Sequence, residues 1–314
     1  MLIRRRAITV VALLLVAALA LTACGGGGQQ TGDQGGGNQG GESARRDPEE
    51  LVMGFVPSQN AERLQETAEP LGELLSQELG IPVKVFVSTN FLGLVEAMAN
   101  EQVHIGFLNP FAYVLAKDRG DPVEVMFKSV RHGSDTYRAQ IFVHAESGIN
   151  DVQQLKGKKF AFVDPASTSG YLFAAHVLKK AGIDPEKDIQ PVMAGSHDGA
   201  VLSVYNKQAD AGASFEDARG LVEKDYPDVK DKVKVIAYSD PIPNDTISVV
   251  SWLSDDLKQK IHDAFVKIAQ SEEGKKVLFD IYEIEGLTDA KDEDFNIIRD
   301  VARDMGIDPK ELAD

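Results

Sequence analysis

Asp164-Pro165-Ala166-Ser167-Thr168-Ser169-Gly170 sets three adjacent hydroxyls between a strand-like segment, 158–163, and an apolar run, 171–175. This is where a strand should turn into a helix. At a helix start the first backbone N–H groups lack intrahelical partners and the dipole is positive. Ser and Thr hydroxyls add rotatable donors beside them. Such a corner can hold an oxyanion without a full positive charge. Ser and Thr are also favoured N-caps, so the corner alone does not separate a ligand site from a cap.

Other polar residues carry the same double reading. His197 precedes Asp198 at what reads as a second strand-to-helix corner. It can donate to an oxygen as a cation or in one neutral tautomer, or it can simply cap. Asp245 lies between Pro243 and a β-branched segment, where a turn residue is ordinary. Asn109-Pro110 reads as a helix start, since Pro suits the first helical position, with an Asn able to face a cleft. Ser167 or Ser169 with His197 and Asp217 supplies the residue types of a hydrolase triad. No Gly-x-Ser-x-Gly elbow is present, however, and three neighbouring hydroxyls suggest distributed donors over one activated nucleophile. The six histidines form no His-x-x-x-His pair and Cys24 is the only cysteine, so neither a metal site nor an intrachain disulfide is expected.

The elements needed to position these residues can be read along the chain. Strand signals at 51–56, 83–87 and 103–108 alternate with helix signals at 61–79, where Pro70 reads as an interruption, at 91–100 and after Asn109. Two strand signals without a helix between them follow, 123–130 and 137–144, and read as the passage to a second lobe. There the pattern restarts: strand 158–163, helix 168–181, strand 190–193, helix 198–207, strand 210–214 and helix 215–224. Strands at 233–238 and 247–252 lead back. Leu257, Ile261, Phe265 and Ile268 then mark one face of a helix. The alternation predicts an α/β fold with two lobes, each a mostly parallel sheet flanked by helices. Ligands of such folds sit at the carboxyl ends of the strands, here in the cleft between the lobes. The expected division is lobe one over 48–140, lobe two over 141–242, and a return to lobe one with C-terminal helices over 243–314.

The chain opens Met1-Leu2-Ile3-Arg4-Arg5-Arg6, and an apolar stretch runs from Ala7 to Leu21. A basic start and a short apolar core read as a secretory signal over residues 1–23, too short for a comfortable membrane span. The ending Leu21-Thr22-Ala23-Cys24 resembles the lipobox of bacterial lipoproteins, which implies lipidation of Cys24. Residues 25–41 hold ten glycines in seventeen positions. With the neighbouring polar residues, 24–47 should be a flexible tether; its Gly-rich part spans about 25 Å end to end. The expectation is an exported body anchored on the outer face of a bacterial membrane. The formal charge is −16, and residues 1–24 hold three arginines and no acid, so the exported part is more acidic still. This excludes nucleic acid as a partner and requires any bound anion to be held by local donors.

Over nearly all of residues 50–280 the chain resembles the substrate-binding proteins of phosphate, phosphite and phosphonate ABC transporters. The segments that carry the resemblance are Gly54-Phe55-Val56-Pro57-Ser58, Asn90-Phe91-Leu92-Gly93-Leu94-Val95, Phe107-Leu108-Asn109-Pro110-Phe111-Ala112-Tyr113, the Ser-Thr-Ser-Gly corner, Gly195-Ser196-His197-Asp198 and Pro241-Ile242-Pro243-Asn244-Asp245. The resemblance implies a periplasmic-binding-protein fold of the second type, closing on its ligand by a hinge. It implies a monomer without cofactor or catalysis that hands a phosphorus oxyanion to a membrane permease. A ligand-presenting partner of a membrane sensor and a Ser/His-dependent hydrolase are the alternatives.

The resemblance also assigns ligand-binding positions. Ser167, Thr168 and Ser169 would donate to the oxyanion, and His197 and Asp245 would face it. The acid after the Ala-Asp-Ala strand falls on Glu216 or Asp217. A family tyrosine falls on Phe91 and another on Leu108, which removes two phenol donors; Tyr137 is the substitute donor. A carboxylate beside a fully deprotonated oxyanion repels it unless the ligand brings a proton or a cation. Phosphate, phosphite or a phosphonate is therefore expected over sulfate. A purely ligand-directed Thr168 should be removable with little effect on the ligand-free fold.

Overall fold

A computed structural model describes residues 47–308. The signal, Cys24 and most of the tether lie outside the described residues.

The first sheet has six strands in the order β13-β4-β12-β3-β1-β2. Its members are β1 (Leu51–Phe55), β2 (Val83–Val87), β3 (Ile105–Leu108), β4 (Val123–Val130), β12 (Thr246–Val250) and β13 (Gly286–Asp289). The second sheet has five, β10-β6-β9-β7-β8. They are β6 (Ala139–His144), β7 (Lys159–Phe162), β8 (Gln190–Met193), β9 (Ala211–Phe215) and β10 (Val233–Tyr238). A two-stranded ribbon pairs β5 (Thr136–Tyr137) with β11 (Ile242–Pro243) where the chain passes between the sheets in each direction.

Both sheets are mixed, which corrects the expectation of mostly parallel ones. β1 is parallel to β2 and β3, and β7 to β8 and β9, where helices make the crossovers. β12 returns from the second lobe with no helical crossover. It inserts antiparallel between β3 and β4. Likewise β6 is antiparallel to β9 and β10. Only a crossover connection imposes parallel pairing, and these strands have none.

Helix α1 (Ala61–Leu79) runs unbroken through Pro70. Pro70 is on the exposed side, where the Glu66 carbonyl it leaves unbonded is open to solvent, while buried Leu64, Ala68, Leu71 and Leu75 hold both halves. α2 (Phe91–Ala99) is capped by the Asn90 side chain and α3 (Pro110–Arg119) starts on Pro110. The helix expected at 168–181 opens as a π-helical turn, Thr168–Phe173, and continues as α4 (Ala174–Lys180). α5 (His197–Tyr205) follows β8. The helix expected over 215–224 is replaced by a turn and the short α6 (Gly220–Glu223). Asp217 there has φ 62°, a left-handed conformation that stops a helix.

Alternation along the strands builds two packed layers in the second lobe. Ile141, Val143, Phe160 and Phe162 face Leu178 and its neighbours in one core. Phe142, Ala161 and Val163 face the other way, with Val201 and Val204, into the core that continues through the first lobe. The expected face of Leu257, Ile261, Phe265 and Ile268 is buried in one helix, Asp255–Gln270. Among the described residues no helix is long and apolar enough to cross a membrane.

Candidate functional site

The carboxyl ends of β1, β3, β4, β7, β8 and β9 converge on one cavity of about 670 Å³. Ser167, Thr168, Ser169, His197, Asp245, Glu216, Asp217, Phe91, Asn109 and Tyr137 all line it. Arg131, Ser58, Tyr282 and Phe215 line it as well, and no sequence pattern had marked them as site residues.

Ser167 caps the π-helical turn, accepting from Gly170 N at 3.2 Å. Thr168 is held differently. Its Oγ1 accepts from Asn109 Nδ2 at 2.8 Å and from Phe111 N at 2.9 Å. A hydroxyl has two acceptor lone pairs and one proton, so two donors leave Thr168 its O–H to give. The Tyr137 phenol lies against the Thr168 and Ser169 hydroxyls, and burial pushes its pKa up. Thr168 and Ser169 are 1% and 2% exposed, so no bulk water competes for them.

Thr168 therefore also ties the second lobe to α3 of the first. Asn109 Nδ2 adds a bond to Ala166 O at 2.8 Å, and His197 N donates to Ser58 O at 2.9 Å. These bonds argue against the expectation that Thr168 is dispensable to the ligand-free fold, because its loss leaves Phe111 N and one proton of Asn109 Nδ2 without an acceptor in a buried place.

His197 starts α5 and is 5% exposed. Its Nδ1 lies 2.7 Å from Ser214 Oγ on β9, and Nε2 has no protein partner among the described residues. Burial first, then the charge of Arg131, push its pKa down to about 3. In the ligand-free cavity this favours the neutral imidazole of the two forms considered from sequence. The ring packs edge-on against Phe91, at 6.4 Å between centroids, and against Phe215, at 4.8 Å. Phe91, where the resemblance implies a tyrosine, is thus an apolar wall of the imidazole.

Asp245 accepts from Arg131 Nη2 through Oδ2 at 2.5 Å. Arg131 leaves the end of β4 and lies over the Tyr137 ring, 5.7 Å from its centroid. Burial works against its charge, but Asp245 and Tyr137 together raise its pKa. Of the two acids after β9, Asp217 lies 3.4 Å from Arg219. Glu216 has no side-chain partner among the described residues, and both are exposed at the mouth. Tyr282 donates to Val56 O at 2.8 Å, and burial raises its pKa.

Arg131 falls just beyond the strand expected over 123–130, and no motif marks it there. Its position at the end of a first-sheet strand was the available signal.

A family model described as "ABC transporter, phosphonate, periplasmic substrate-binding protein" matches residues 53–295. The phosphate-import protein PhnD of Mycolicibacterium smegmatis is 30% identical over 234 residues, 71% of this chain and 73% of the relative. A crystal structure of a binding protein component of a phosphonate ABC transporter from Pseudomonas aeruginosa superposes with a TM-score of 0.76 at 27% identity, covering 83% of this chain and 87% of that one. The structure of PhnD1 from Prochlorococcus marinus in complex with methylphosphonate gives a TM-score of 0.75 at 18% identity, covering 83% and 99%. At that identity it shows the shared fold.

Proposed function

Because the chain belongs to the family of periplasmic substrate-binding proteins of phosphonate ABC transporters, we propose that it captures a small phosphorus oxyanion between its lobes and delivers it to a membrane permease. Lobe one comprises 48–138 and the return from 243, and lobe two 139–242; the boundary expected after 140 falls inside β6, whose Ala139 and Gln140 pair with β9. The protein acts outside the cytoplasm as a monomer, tethered through a lipidated Cys24.

The observation that carries the ligand class is the Thr168 hydroxyl. With both lone pairs filled by Asn109 and Phe111, its O–H is the proton it can give on the cavity wall, to the Tyr137 phenol lying against it or to a ligand that displaces that contact. Ser169 stands beside it. If Ser214 donates to His197 Nδ1, the neutral ring presents Nε2–H as a third donor. Arg131 supplies the positive charge that the acidic whole lacks. Preorganised donors of this kind suit an anion that several of them can meet at once. Asp245 Oδ1 has no protein partner among the described residues, so it can accept from a protonated phosphorus oxygen. Sulfate offers no such proton at neutral pH.

The hydrolase alternative lacks support in the geometry. His197 is oriented by Ser214, and Asp217 lies against Arg219, so no carboxylate orients the imidazole.

Calorimetric titration of the full chain in mild detergent, with phosphate, phosphite, methylphosphonate and sulfate, tests the proposal. Binding of at least one phosphorus ligand with far weaker sulfate binding is expected. Sulfate binding as tight as the best phosphorus ligand, or no phosphorus binding, overturns it.

A further inference from the structure

Of the acids that line the cavity, Asp245 is the one bonded to an arginine of the same lining. Arg131 and Asp245 sit on the two segments that cross between the sheets, one just after β4 and the other just before β12. Their side chains are 15% and 28% exposed, and Arg131 Nη2 bonds Asp245 Oδ2. Asp245 Oδ1 accepts no protein hydrogen bond among the described residues. The guanidinium lies over Tyr137, which in turn touches Thr168 and Ser169. Arg131 is therefore next to the oxyanion donors, and its field reaches His197 and Tyr282.

A free carboxylate in such a cleft would welcome an alkylammonium group carried by the ligand. With Arg131 already on Oδ2, an ammonium approaching Oδ1 meets a like charge a few ångströms away. Partial burial leaves that repulsion poorly screened. A protonated phosphorus oxygen carries no charge and can use Oδ1 without this cost. Elsewhere on the lining, Arg138 and Lys224 have no side-chain partner among the described residues, and both repel a second cation. The other acids of the lining, Glu216, Asp217, Asp280 and Glu283, are exposed and screened by water, and the last three face Arg219, Lys276 and His132.

We infer that the Arg131–Asp245 pair is the specificity determinant of this cleft, selecting phosphorus oxyanions with uncharged substituents and rejecting those that carry an ammonium group. The inference rests on the phosphorus-oxyanion reading above. Discrimination arises from a repulsive element placed against the wrong ligand.

The test is calorimetric titration of the full chain in mild detergent with methylphosphonate and 2-aminoethylphosphonate. Wild type should favour methylphosphonate by at least roughly tenfold, a modest share of what like-charge juxtaposition costs. Arg131→Gln should shrink or invert that ratio, while Arg131→Lys should keep it. Asp245→Asn retains the arginine and removes the attraction, so it should widen the ratio. Methylphosphonate binding with an unchanged ratio in Arg131→Gln overturns the inference and leaves the phosphorus reading standing. So does a wild-type preference for 2-aminoethylphosphonate. If Arg131→Gln does not fold, a narrowed ratio in Asp245→Asn overturns it. Failure of wild type to bind any phosphorus ligand overturns the parent reading, and this inference with it.

Discussion

At the scale of single residues, two side chains do opposite things with their protons. Thr168 gives its proton away because its lone pairs are filled. Thr168→Ala should weaken binding by about 1.5–3 kcal/mol, the range for hydrogen bonds to charged groups. It should also lower the melting temperature of the ligand-free chain, because Asn109 Nδ2 and Phe111 N lose an acceptor in a buried place. Thr168→Ser keeps the oxygen and should restore most of both. Unchanged affinity in the alanine variant would reduce this corner to a cap. His197 instead refuses a proton. Its folded pKa, about 3, lies below its ordinary value near 6.5. Between those values the unfolded chain binds a proton that the folded chain does not, so stability is complete above about pH 6.5 and falls as the pH drops towards 3. His197→Asn should flatten that fall by at most about 1.4 kcal/mol per pH unit. His104 and His176, also pushed down by burial, keep part of the slope. Urea midpoints measured between about pH 4 and 7 decide this, and parallel profiles for variant and wild type would refute it.

At the scale of elements, the corner works because Gly170 lets it approach β7. A Cβ at Gly170 would lie 2.3 Å from Val163 Cγ2 and 2.9 Å from Ser167 Oγ. Gly170→Ala must push the π-helical turn off the strand and carry Thr168 and Ser169 with it. We expect a loss of about 1–3 kcal/mol in stability, the usual cost of overpacking, together with weakened ligand binding. Thermal melts with and without methylphosphonate check both; an unperturbed variant would mean the turn shifts freely. The glycine was visible in the sequence, but its reason was not, since that lies in a contact with Val163. The same boundary holds more widely. Period-two and helical patterns placed most strands and helices, because they depend on which face is buried. The insertion of β12 between β3 and β4 is a pairing choice between distant segments, with no local signature. The turn at Glu216–Arg219 differs from the helix expected over 215–224 because the left-handed Asp217 stops it, and a single residue's positive φ has no signature in the spacing. The hydroxyls, His197 and Asp245 were legible because strand-to-helix corners and the family motifs mark them. Arg131 was not, because its meaning depends on Asp245, distant in sequence.

At the scale of the whole molecule, two stretches of the described residues join the sheets, between β4 and β6 and between β10 and β12. The β5–β11 ribbon pairs them, and buried Asn244 fastens the crossing by donating to Ser129 O and Ser134 O. A narrow, hydrogen-bonded crossing lets two rigid sheets rotate while its own bonds survive, which is the requirement for a hinge. The polar contacts that would break on opening are Asn109 to Ala166 and Thr168, Phe111 to Thr168, Phe91 to Asp164 and His197 to Ser58 around the cavity, and Lys179 and His176 to Asp304 of the C-terminal helix away from it. Each protein partner lost around the cavity can be replaced by water once the cleft opens. Closure therefore gains little from these bonds alone, and a ligand bridging Thr168, His197 and Arg131 supplies the rest. Saturating methylphosphonate should shrink the radius of gyration in small-angle scattering and raise the melting temperature by mass action. Asn109→Ala removes two of the bridging bonds without removing a proposed donor to the oxyanion. It should weaken affinity through the open–closed equilibrium, leaving the liganded scattering curve like that of wild type. Tight binding with no change in scattering on ligand addition would contradict the hinge, and would mean that the two sheets meet around an already formed cavity.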